Sequence, residues 1–491
     1  MSELERQGTG GAGDLRKIAP FLWELPRQGA MRVPGRVYAS DAMIEEIRAD
    51  PSLQQVRNVA HLPGIVGWSL AMPDIHWGYG FPIGGVAATD ARAGGAISPG
   101  GVGYDINCGV RLARSHLSVA DVERRKRALI DALYDAVPSG IGASGAIREL
   151  GRREERRLLT EGARWAVEEG FGTPADLDHT EEGGRLAGAD PEAVSDRARE
   201  RGRTQVGTLG SGNHFLEVQR VARIFDEEVA GTMGLFLDQV VVMIHSGSRG
   251  LGYQVCDDYL KRIRPRLDHF GYHLPDVQLA AAPLDSAEGR DYLAAMRCAA
   301  NYAWCNRQVM LHKVRETFQR LLRIGPGDLG MSLVYDVCHN IAKIEKHQVG
   351  GRSVEACVHR KGATRAFPAG HPEVPEAYRD VGQPVLVPGS MGNYSYVCVG
   401  QPESMAATFG STCHGAGRRM SRTQAKKVAR GRNLLAEMEA QGVIVRATGM
   451  RTVAEEMAFA YKDVSEVVEV MEGAGVSRRV AQLRPLGVVK G

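Results

Sequence analysis

The sequence carries little net charge and lacks any hydrophobic run that could cross a membrane. Its 61 Lys and Arg residues nearly balance 58 Asp and Glu residues, which gives a formal net charge of +3. This balance excludes a strong overall basic field, although it is compatible with a local basic patch for nucleic acid. No stretch of about 18 apolar residues is present, and the polar, Gly-rich residues 1–14 contain no signal-peptide core. We therefore expect a flexible tail at 1–14 and no membrane partner.

Paired cysteines and the familiar nucleotide or hydrolase motifs are also missing. The eight cysteines are scattered and include no C-x-x-C pair, a distribution that indicates free thiols in a reducing cytoplasm. The chain has no G-x-x-x-x-G-K-[ST] loop, no G-x-G-x-x-G between a strand and a helix, no H-E-x-x-H and no G-x-S-x-G. A bound nucleotide must therefore be held in another way. A hydrophobic content of 43% and a charged content of 24% indicate a folded globular protein.

Hydrophobic periodicity predicts four long helices and several strands. The predicted helices are 122–137, 152–169, 290–323 and 422–441, with a shorter helix opening at Asp190-Pro191-Glu192. The strand-like runs are 240–244, 384–387, 394–399 and 443–446. Because these elements do not alternate as in β-α-β units, the pattern favours an α+β fold with mixed sheets over a Rossmann fold.

Several potential metal ligands stand in short, Gly-rich polar segments. Asp105 and Cys108 can converge on one point, because their i, i+3 spacing lies in a glycine-rich loop. His214 follows a Gly-Ser-Gly turn, His245 ends a strand-like run, and His339 precedes a predicted helix. Carboxylate, thiolate and imidazole together suit Zn, Mn, Fe or Co better than Mg or Ca, and softness alone puts Zn ahead of Mn. The alternatives are a small buried cysteine and structural histidines, and His339 taken alone looks structural.

His414 has a different setting. The small residues 415–417 follow it, and Arg418, Arg419 and Arg422 come next. Exposed backbone N–H groups can cradle an anion, and guanidiniums can neutralise a phosphate. A neutral imidazole in that environment is a candidate nucleophile for phosphate transfer. The alternative is a solvated helix start with His414 as a neighbour.

The last residues, 485–491, are apolar and end on Lys-Gly. Apolar tails can dock, which would hold Lys490 at a fixed place. The alternative is a frayed tail with a solvated lysine, and the residues alone favour it.

Read together and in order, these motifs resemble the RtcB family of RNA-splicing ligases. The matching segments are 73–80 (PDIHWGYG), 101–111 (GVGYDINCGVR), the segments around His214 and His245, 359–366 (HRKGATRA), 388–392 (PGSMG), 414–418 (HGAGR) and 485–491. The similarity covers nearly the whole chain. It implies a single α+β domain over 15–491, with mixed β-sheets surrounded by helices. It also implies an enzyme that joins RNA 2′,3′-cyclic phosphate or 3′-phosphate ends to 5′-hydroxyl ends, as in tRNA splicing and RNA repair.

The resemblance further implies GTP and two manganese ions as cofactors. Cys108 would bridge both ions, Asp105 and His214 would complete one position, and His245 and His339 would complete the other. Manganese then replaces the zinc that ligand softness favours.

The resemblance makes His414 the nucleophile that takes GMP from GTP, before GMP passes to an RNA 3′ end. The implied nucleotide site consists of Asn213, His214, Phe215, Leu216, Glu217, His339, Asn340, Pro388, Gly389, Ser390, Met391, Ser395, His414, Gly415, Ala416, Gly417 and Lys490. The Glu217 carboxylate can accept from guanine N1–H and the N2 amine, and the Lys490 ammonium can donate to O6.

RNA, for instance tRNA halves, is the expected partner, and the family adds an archease-type activator. The expected phosphate contacts are Arg249, Arg360, Lys361, Arg365, Arg418, Arg419 and Arg422, each of which could instead be an ordinary surface charge. One rival function is a metal-dependent phosphodiesterase that acts on cyclic-phosphate ends without ligation, and it needs neither His414 nor GTP. A second rival is a non-catalytic RNA-binding protein, which leaves the clustered metal ligands unexplained.

Overall fold

A computed structural model describes residues 15–491, so the flexible tail expected at 1–14 lies outside the described residues. In chain order the strands are β1 (Arg16–Ala19), β2 (Leu22–Leu25), β3 (Gly35–Tyr38), β4 (Ile65–His76), β5 (Ile83–Asp90), β6 (Ala96–Ile97), β7 (Gly109–Ser118), β8 (Phe215–Ile224), β9 (Gln239–Ser246), β10 (Ala282–Pro283), β11 (Ser332–Cys338), β12 (Asn340–Val349), β13 (Arg352–Lys361), β14 (Ala363–Arg365), β15 (Pro384–Val387), β16 (Ser395–Gly400), β17 (Ser411–Cys413), β18 (Ile444–Ala447) and β19 (Ser477–Lys490).

The α-helices surround these strands. They are α1 (Ile44–Ala49), α2 (Ser52–Val59), α3 (Pro99–Val102), α4 (Val119–Glu123), α5 (Lys126–Ala136), α6 (Arg152–Glu161), α7 (Ala163–Glu168), α8 (Pro174–Asp178), α9 (Asp196–Gly202), α10 (Glu227–Thr232), α11 (Arg249–Ile263), α12 (Ala287–Leu322), α13 (Pro326–Leu329), α14 (Pro402–Ala407), α15 (Arg422–Ala429), α16 (Leu434–Ala440), α17 (Met450–Glu455) and α18 (Val464–Gly473). Within residues 15–491, none of them combines the length and apolar character needed to span a bilayer.

Two large mixed sheets organise the chain. One has seven strands in the order β1-β2-β3-β4-β5-β13-β12, and the other has the order β11-β7-β9-β8-β19-β16-β15, with β18 as an eighth strand beside β19. The β3–β4 and β18–β19 pairs are parallel, and the other neighbours in these two sheets are antiparallel. The expected α+β fold with mixed sheets is confirmed. The chain passes directly from the eight-stranded to the seven-stranded sheet at His339, because β11 ends one residue before it and β12 begins one residue after it.

The long predicted helices are present, but three of them are interrupted. The segment 152–169 breaks at Gly162, whose φ of +59° favours glycine and where a Cβ would lie 2.2 Å from the Gly184 carbonyl oxygen. The segment 422–441 divides because Asn433 caps a second helix by accepting from the Ala436 N–H. The segment 122–137 divides into α4 and α5, whereas 290–323 is nearly all α12.

The helix predicted after His339 is wrong, because residues 340–349 form strand β12. Its buried charged positions alternate with exposed ones, and Lys343, Glu345 and His347 all point inward. The spacing of Lys343 and His347 fits one helical turn and two strand repeats equally well. Their charges are satisfied by ion pairs, as in the contact of Glu345 with Arg360 at 2.7 Å, so an inward polar face is tolerated.

The remaining local predictions hold with small shifts. Asp190 caps a short 3₁₀ turn, and the charged helix α9 begins separately after Ser195. The four strand-like runs correspond to β9, β15, β16 and β18.

Arg307, in the middle of α12, joins three separate chain segments through one buried guanidinium: the loop at Asn107, the end of β9 and strand β11. Its Nη1 donates to the carbonyl oxygens of Asn107 at 2.8 Å and Ser246 at 2.9 Å. Its Nη2 donates to Asn107 Oδ1 at 2.9 Å and Asp336 Oδ1 at 2.7 Å, and Nε donates to Asp336 Oδ2 at 2.9 Å. All five guanidinium N–H groups are therefore used. Arg111 pairs with the same Asp336 carboxylate at 2.7 Å.

We expect Arg307→Met to lower the free energy of unfolding by about 3–5 kcal/mol, because breaking a buried ion pair leaves charge and loop carbonyls without partners. The shift of the denaturant unfolding midpoint measures this effect. Asp41→Ala is the control, since that carboxylate is 72% exposed in its ion pair with Lys17 and should change stability by about 1 kcal/mol or less. Equal midpoints for the two variants would contradict the structural role of Arg307.

Candidate functional site

Strand register brings the predicted metal ligands to one end of the eight-stranded sheet. Gly109 pairs with Cys338 on one side and with Ser246 on the other, and His245 pairs with Phe215. Four neighbouring strands, β11, β7, β9 and β8, therefore align at this point. The ligand candidates stand within one residue of these positions, at Cys108, His214, His245 and His339.

The side chains of these residues and Asp105 meet as two groups that share one thiol. Cys108 Sγ lies 3.4 Å from His214 Nε2 and 3.2 Å from His245 Nε2. His214 Nε2 lies 2.7 Å from Asp105 Oδ2, and His245 Nε2 lies 3.3 Å from His339 Nε2. In each group the potential ligand atoms lie within 4.8 Å of one another. The geometry thus places all five predicted ligands together, with Cys108 in both groups.

The polarity of these contacts fits a cation. His214 Nδ1 lies 3.0 Å from the Leu209 carbonyl oxygen, which can only accept, so Nδ1 carries a proton. In the neutral ring the lone pair is then on Nε2, the nitrogen that faces the Asp105 carboxylate at 2.7 Å. A cation between two such acceptors is the usual reason for this arrangement at a metal site.

Burial sets the protonation of the remaining ligands. It lowers the pKa values of His245 and His339 well below the ordinary range, and nearby imidazoles lower them further. Both rings are therefore neutral and can ligate a metal. Burial and then the Asp105 charge raise the pKa of the Cys108 thiol, so its thiolate needs a cation to compensate it.

His414 follows β17 and is fixed by Asp74. Its Nδ1 lies 2.6 Å from Asp74 Oδ2, and the same oxygen accepts from the backbone N–H groups of His414 at 3.0 Å and Gly415 at 3.2 Å. Because a carboxylate only accepts, Nδ1 carries a proton, so in the neutral ring the lone pair is on Nε2. The His414 and His339 rings lie 4.7 Å apart between centroids. The imidazole thus has a fixed orientation beside the second ligand group.

Asp74 lies in the segment 73–80 that carries the family resemblance, and the sequence indicates no role for it. The pairing spans 340 residues, so no local pattern reveals it. Asp74 is fully buried, and its second oxygen, Oδ1, has no hydrogen-bond partner among residues 15–491.

Two glycines allow the loops to approach this closely. At Gly417, with φ +72°, a Cβ would lie 2.3 Å from the backbone oxygen of Asp74. At Gly247 a Cβ would lie 2.3 Å from Asp105 Oδ1. Side chains at either position would push apart the groups that orient His414 or that form the Asp105, Cys108 and His214 group.

A cleft of about 730 Å³ opens above the two ligand groups. Most residues of the expected nucleotide site line it, namely Asn213, Phe215, Glu217, His339, Asn340, Pro388, Gly389, Ser390, Met391, His414, Gly415, Ala416, Gly417 and Lys490. Three others do not. His214 lies beneath with Cys108, Leu216 is buried in the core, and Ser395 Oγ supports the cleft wall by accepting from the Gly389 N–H at 3.2 Å.

Glu217 and Lys490 face the cleft from neighbouring strands, β8 and β19. The last residues form the end of β19, with Lys490 paired to Phe215, so this segment is docked and not frayed. Lys490 Nζ donates to the carbonyl oxygens of Gly212 at 2.9 Å and His214 at 3.3 Å. Burial raises the pKa of Glu217 to about 7 and lowers the pKa of Lys490.

Two of the arginines expected to contact RNA phosphate are buried and form ion pairs inside the protein. Arg360 is fully buried against Glu345, and Arg365 is buried against Glu182 at 2.8 Å, so the expectation for both is wrong. Lys361 is buried too and donates to the Tyr79 carbonyl oxygen.

Lys361 nevertheless lines the cleft, as do Arg418, Arg419 and Arg422, whereas Arg249 is not among the lining residues. Arg249 donates to the Gly140 carbonyl oxygen, and Arg418 pairs with Glu456 at 3.2 Å. Arg419 and Arg422 keep about half of their side-chain surface exposed.

Comparisons with known proteins agree along almost the entire length. The model of the family described as "tRNA-splicing ligase RtcB" matches residues 55–491. A protein of that name from Archaeoglobus fulgidus is 56% identical over 481 residues, which are 98% of this chain and 99% of that protein. The protein of the same name from Thermococcus kodakarensis is 54% identical over 478 residues, with 97% and 99% covered. The one from Aeropyrum pernix is 50% identical over 479 residues, with the same coverage.

We expect Asp74→Ala to speed amide hydrogen exchange at His414 and Gly415 by about threefold to tenfold, because both N–H groups lose their acceptor. Mass spectrometry of peptides covering these residues measures the rates. Asp74→Asn keeps an acceptor oxygen and should show a smaller increase. The matched control is Asp121→Ala, which removes a surface helix cap from Ser118 and should leave these two amides unchanged. Unchanged exchange in Asp74→Ala would show that the carboxylate does not hold the loop.

Proposed function

Because the chain belongs to the RtcB family of tRNA-splicing ligases and is an RNA ligase, we propose that it joins RNA 2′,3′-cyclic phosphate or 3′-phosphate ends to 5′-hydroxyl ends through a guanylated His414. The observation that supports this most directly is the placement of His414. Its Nδ1 is held by Asp74 at 2.6 Å, and its ring lies beside His339 in the cleft.

In the first step, His414 Nε2 attacks the α-phosphate of GTP. A P–N bond forms, the bond to the β-phosphate oxygen breaks, and pyrophosphate leaves with the electron pair. Attack makes the ring positive, and the Asp74 carboxylate stabilises that charge through Nδ1–H. Asp74 also keeps the ring from rotating, so the reactive nitrogen stays directed into the cleft.

The two ligand groups would hold two manganese ions, which would neutralise the triphosphate and assist the departure of pyrophosphate. Asp105, Cys108 and His214 would hold one ion, and Cys108, His245 and His339 the other. The shared thiol of Cys108 would be deprotonated to bridge them. The mixed set of oxygen, sulfur and nitrogen donors, with Cys108 in both groups, supports a divalent transition metal at both positions.

Guanine recognition is assigned to Glu217 and Lys490. An ionised Glu217 accepts from guanine N1–H and the N2 amine, and Lys490 donates to O6. Adenine presents the opposite pattern, with an acceptor at N1 and a donor at C6, so it would leave both buried charges unpaired. The small residues 415–417 and the loop 388–391 supply backbone groups around the nucleotide.

RNA enters the later steps. A cyclic phosphate is first hydrolysed to a 3′-phosphate, whose oxygen attacks the guanylated His414. The P–N bond breaks, and the RNA 3′ end carries GMP. The 5′-hydroxyl oxygen then attacks the 3′-phosphate, GMP leaves, and the strand is sealed.

Further proposals concern the domain organisation, cellular location, substrates and activator of the enzyme. Residues 15–491 are taken to work as one ligase domain, which the family match over 55–491 supports. The eight cysteines are all free and buried, which supports a reducing cytoplasm. tRNA halves are the proposed substrates, and an archease-type protein is the proposed activator.

Labelling with α-³²P-GTP and Mn²⁺ tests the covalent step. We expect wild type to form a label that is stable in alkali and lost in acid, and His414→Ala to form none. His312→Ala is the matched control, since that histidine is paired with Glu316 outside the cleft and should label normally. No label in metal-loaded wild type would remove the ligase mechanism and favour the metal-dependent phosphodiesterase.

The pH dependence of nucleotide binding tests the guanine site. Burial raises the pKa of Glu217 to about 7, so the free carboxyl is protonated below that pH and cannot accept from N1–H. We therefore expect the affinity for GMP to rise between pH 6 and pH 8, as measured by calorimetry. Glu217→Gln should weaken binding about tenfold at pH 8 and flatten the profile. The control Glu316→Gln should keep the wild-type profile, and an equally steep profile in Glu217→Gln would exclude Glu217 as the titrating group.

A further inference from the structure

Four aromatic side chains lead away from the metal-ligand groups. We call them the aromatic wall, and they are Trp77, Tyr79, Tyr104 and Tyr253. Trp77, Tyr79 and Tyr104 line the active cleft, and Tyr104 immediately precedes Asp105. The Tyr79 and Tyr104 rings meet edge to face with centroids 5.3 Å apart. The Tyr104 and Tyr253 rings are stacked at 4.7 Å with planes 27° apart. The wall thus runs from the cleft to the outer surface on α11.

The outermost members of this wall are exposed to solvent. Trp77 is 51% exposed and Tyr253 is 46% exposed, whereas Tyr79 and Tyr104 pack partly on the core. Among residues 15–491, Trp77 has no ring, cation or hydrogen-bond partner for its side chain. A large indole that lines the catalytic cleft without a partner has a free face for a ligand.

Two guanidiniums cap the tyrosines. Arg201 lies 5.0 Å from the Tyr253 centroid, and Arg264 lies 5.6 Å from the Tyr79 centroid. In the described part of the chain neither forms an ion pair with a carboxylate, and Arg264 Nε is buried without a hydrogen-bond partner. Their positive charge is therefore available to an anion.

The acidic groups nearby compensate only part of this charge. Asp257 pairs with Lys261 at 2.7 Å, whereas Asp258 accepts from the uncharged Ser195 and Gln254 and keeps its negative charge. The two guanidiniums still outnumber this one carboxylate, so the local surface joins aromatic faces with a positive balance, although the whole chain has a net charge of only +3.

We propose that the aromatic wall binds single-stranded RNA next to the reacting ends, with an unpaired base stacked on Trp77 and backbone phosphates near Arg201 and Arg264. This inference rests on the proposed ligase function and specifies how its substrate is held. Every base has a π face, so stacking does not require a defined sequence. Bases inside a duplex are already stacked on their neighbours, so the wall selects ends with unpaired nucleotides.

Binding of short oligonucleotides to Trp77 variants tests the wall. The probes are single-stranded RNA with a 3′-phosphate, single-stranded RNA with a 5′-hydroxyl, and a blunt duplex. We expect Trp77→Ala to raise the Kd of at least one single strand roughly tenfold, within the range of one lost base stack, and to leave the duplex Kd unchanged. Trp77→Phe should restore most of the affinity. The control Phe236→Ala removes a 42% exposed ring outside the cleft and should bind as wild type does.

Two further measurements separate stacking from a structural effect. Trp77 is the most exposed tryptophan, so single-stranded RNA should quench the intrinsic fluorescence of wild type but not of Trp77→Phe. An RNA with an abasic nucleotide at the stacked position should bind wild type as weakly as the intact RNA binds Trp77→Ala. The abasic nucleotide should not weaken binding to Trp77→Ala any further. Arg264→Gln should reduce the salt dependence of binding by about one phosphate contact.

Labelling of His414 from GTP on the same preparations distinguishes the two proposals. If the wild-type protein is not labelled, the ligase mechanism is excluded. Wild type that labels, together with unchanged Kd values for both single strands in Trp77→Ala, overturns the aromatic wall alone. Equal losses for the single strands and the duplex also overturn it, because stacking on an unpaired base would not weaken duplex binding.

Discussion

The site depends on one buried guanidinium. Arg307 uses all five of its N–H groups on three segments that are far apart in sequence. Those segments carry Asn107, Ser246 and Asp336, which lie within three residues of Cys108, His245 and His339. A planar fork with fixed donors can set the relative positions of three chain segments in a way that a flexible ammonium cannot. The ligand cluster is therefore held from below by helix α12, before any metal contributes.

This rigid base explains how so many mutually unfavourable groups can be kept together. Neutral imidazoles face one another at 3.3 Å, and a thiol lies next to a carboxylate in the protein interior. Without opposite charge such groups would turn toward water. Here buried hydrogen bonds fix the backbone around these groups, so folding offsets the unfavourable free energy of bringing them together. A cation that binds between them can then lower the free energy of the assembled site. His414 is also fixed in place, because Asp74 accepts hydrogen bonds from both its ring and its backbone N–H.

The residues that the sequence selects for the site come together in the structure, whereas several of the predicted elements around them differ. The five metal-ligand candidates, His414 and Lys490 stand in short polar or terminal segments, and such segments lie where strands end. The sequence does not reveal the roles of Arg307 or Asp74, because their partners are distant along the chain. In sequence, a buried arginine in a helix cannot be distinguished from an exposed one. The helix expected after His339 fails for a related reason. Strand β12 turns Lys343, Glu345 and His347 inward, and only long-range ion pairs make that orientation stable. Patterns within one segment cannot show partners that lie in another.

His339 is the single residue between β11 of the eight-stranded sheet and β12 of the seven-stranded sheet. The seven-stranded sheet also carries Asp74, in β4, while His245 lies in β9 of the eight-stranded sheet and Cys108 immediately precedes its strand β7. The candidate site therefore lies between the two large sheets. A ligand that binds only this folded arrangement adds its binding free energy to the stability of the arrangement. Under the proposed function, a cell poor in the metal or the nucleotide would therefore hold a protein that unfolds more readily as well as an inactive one.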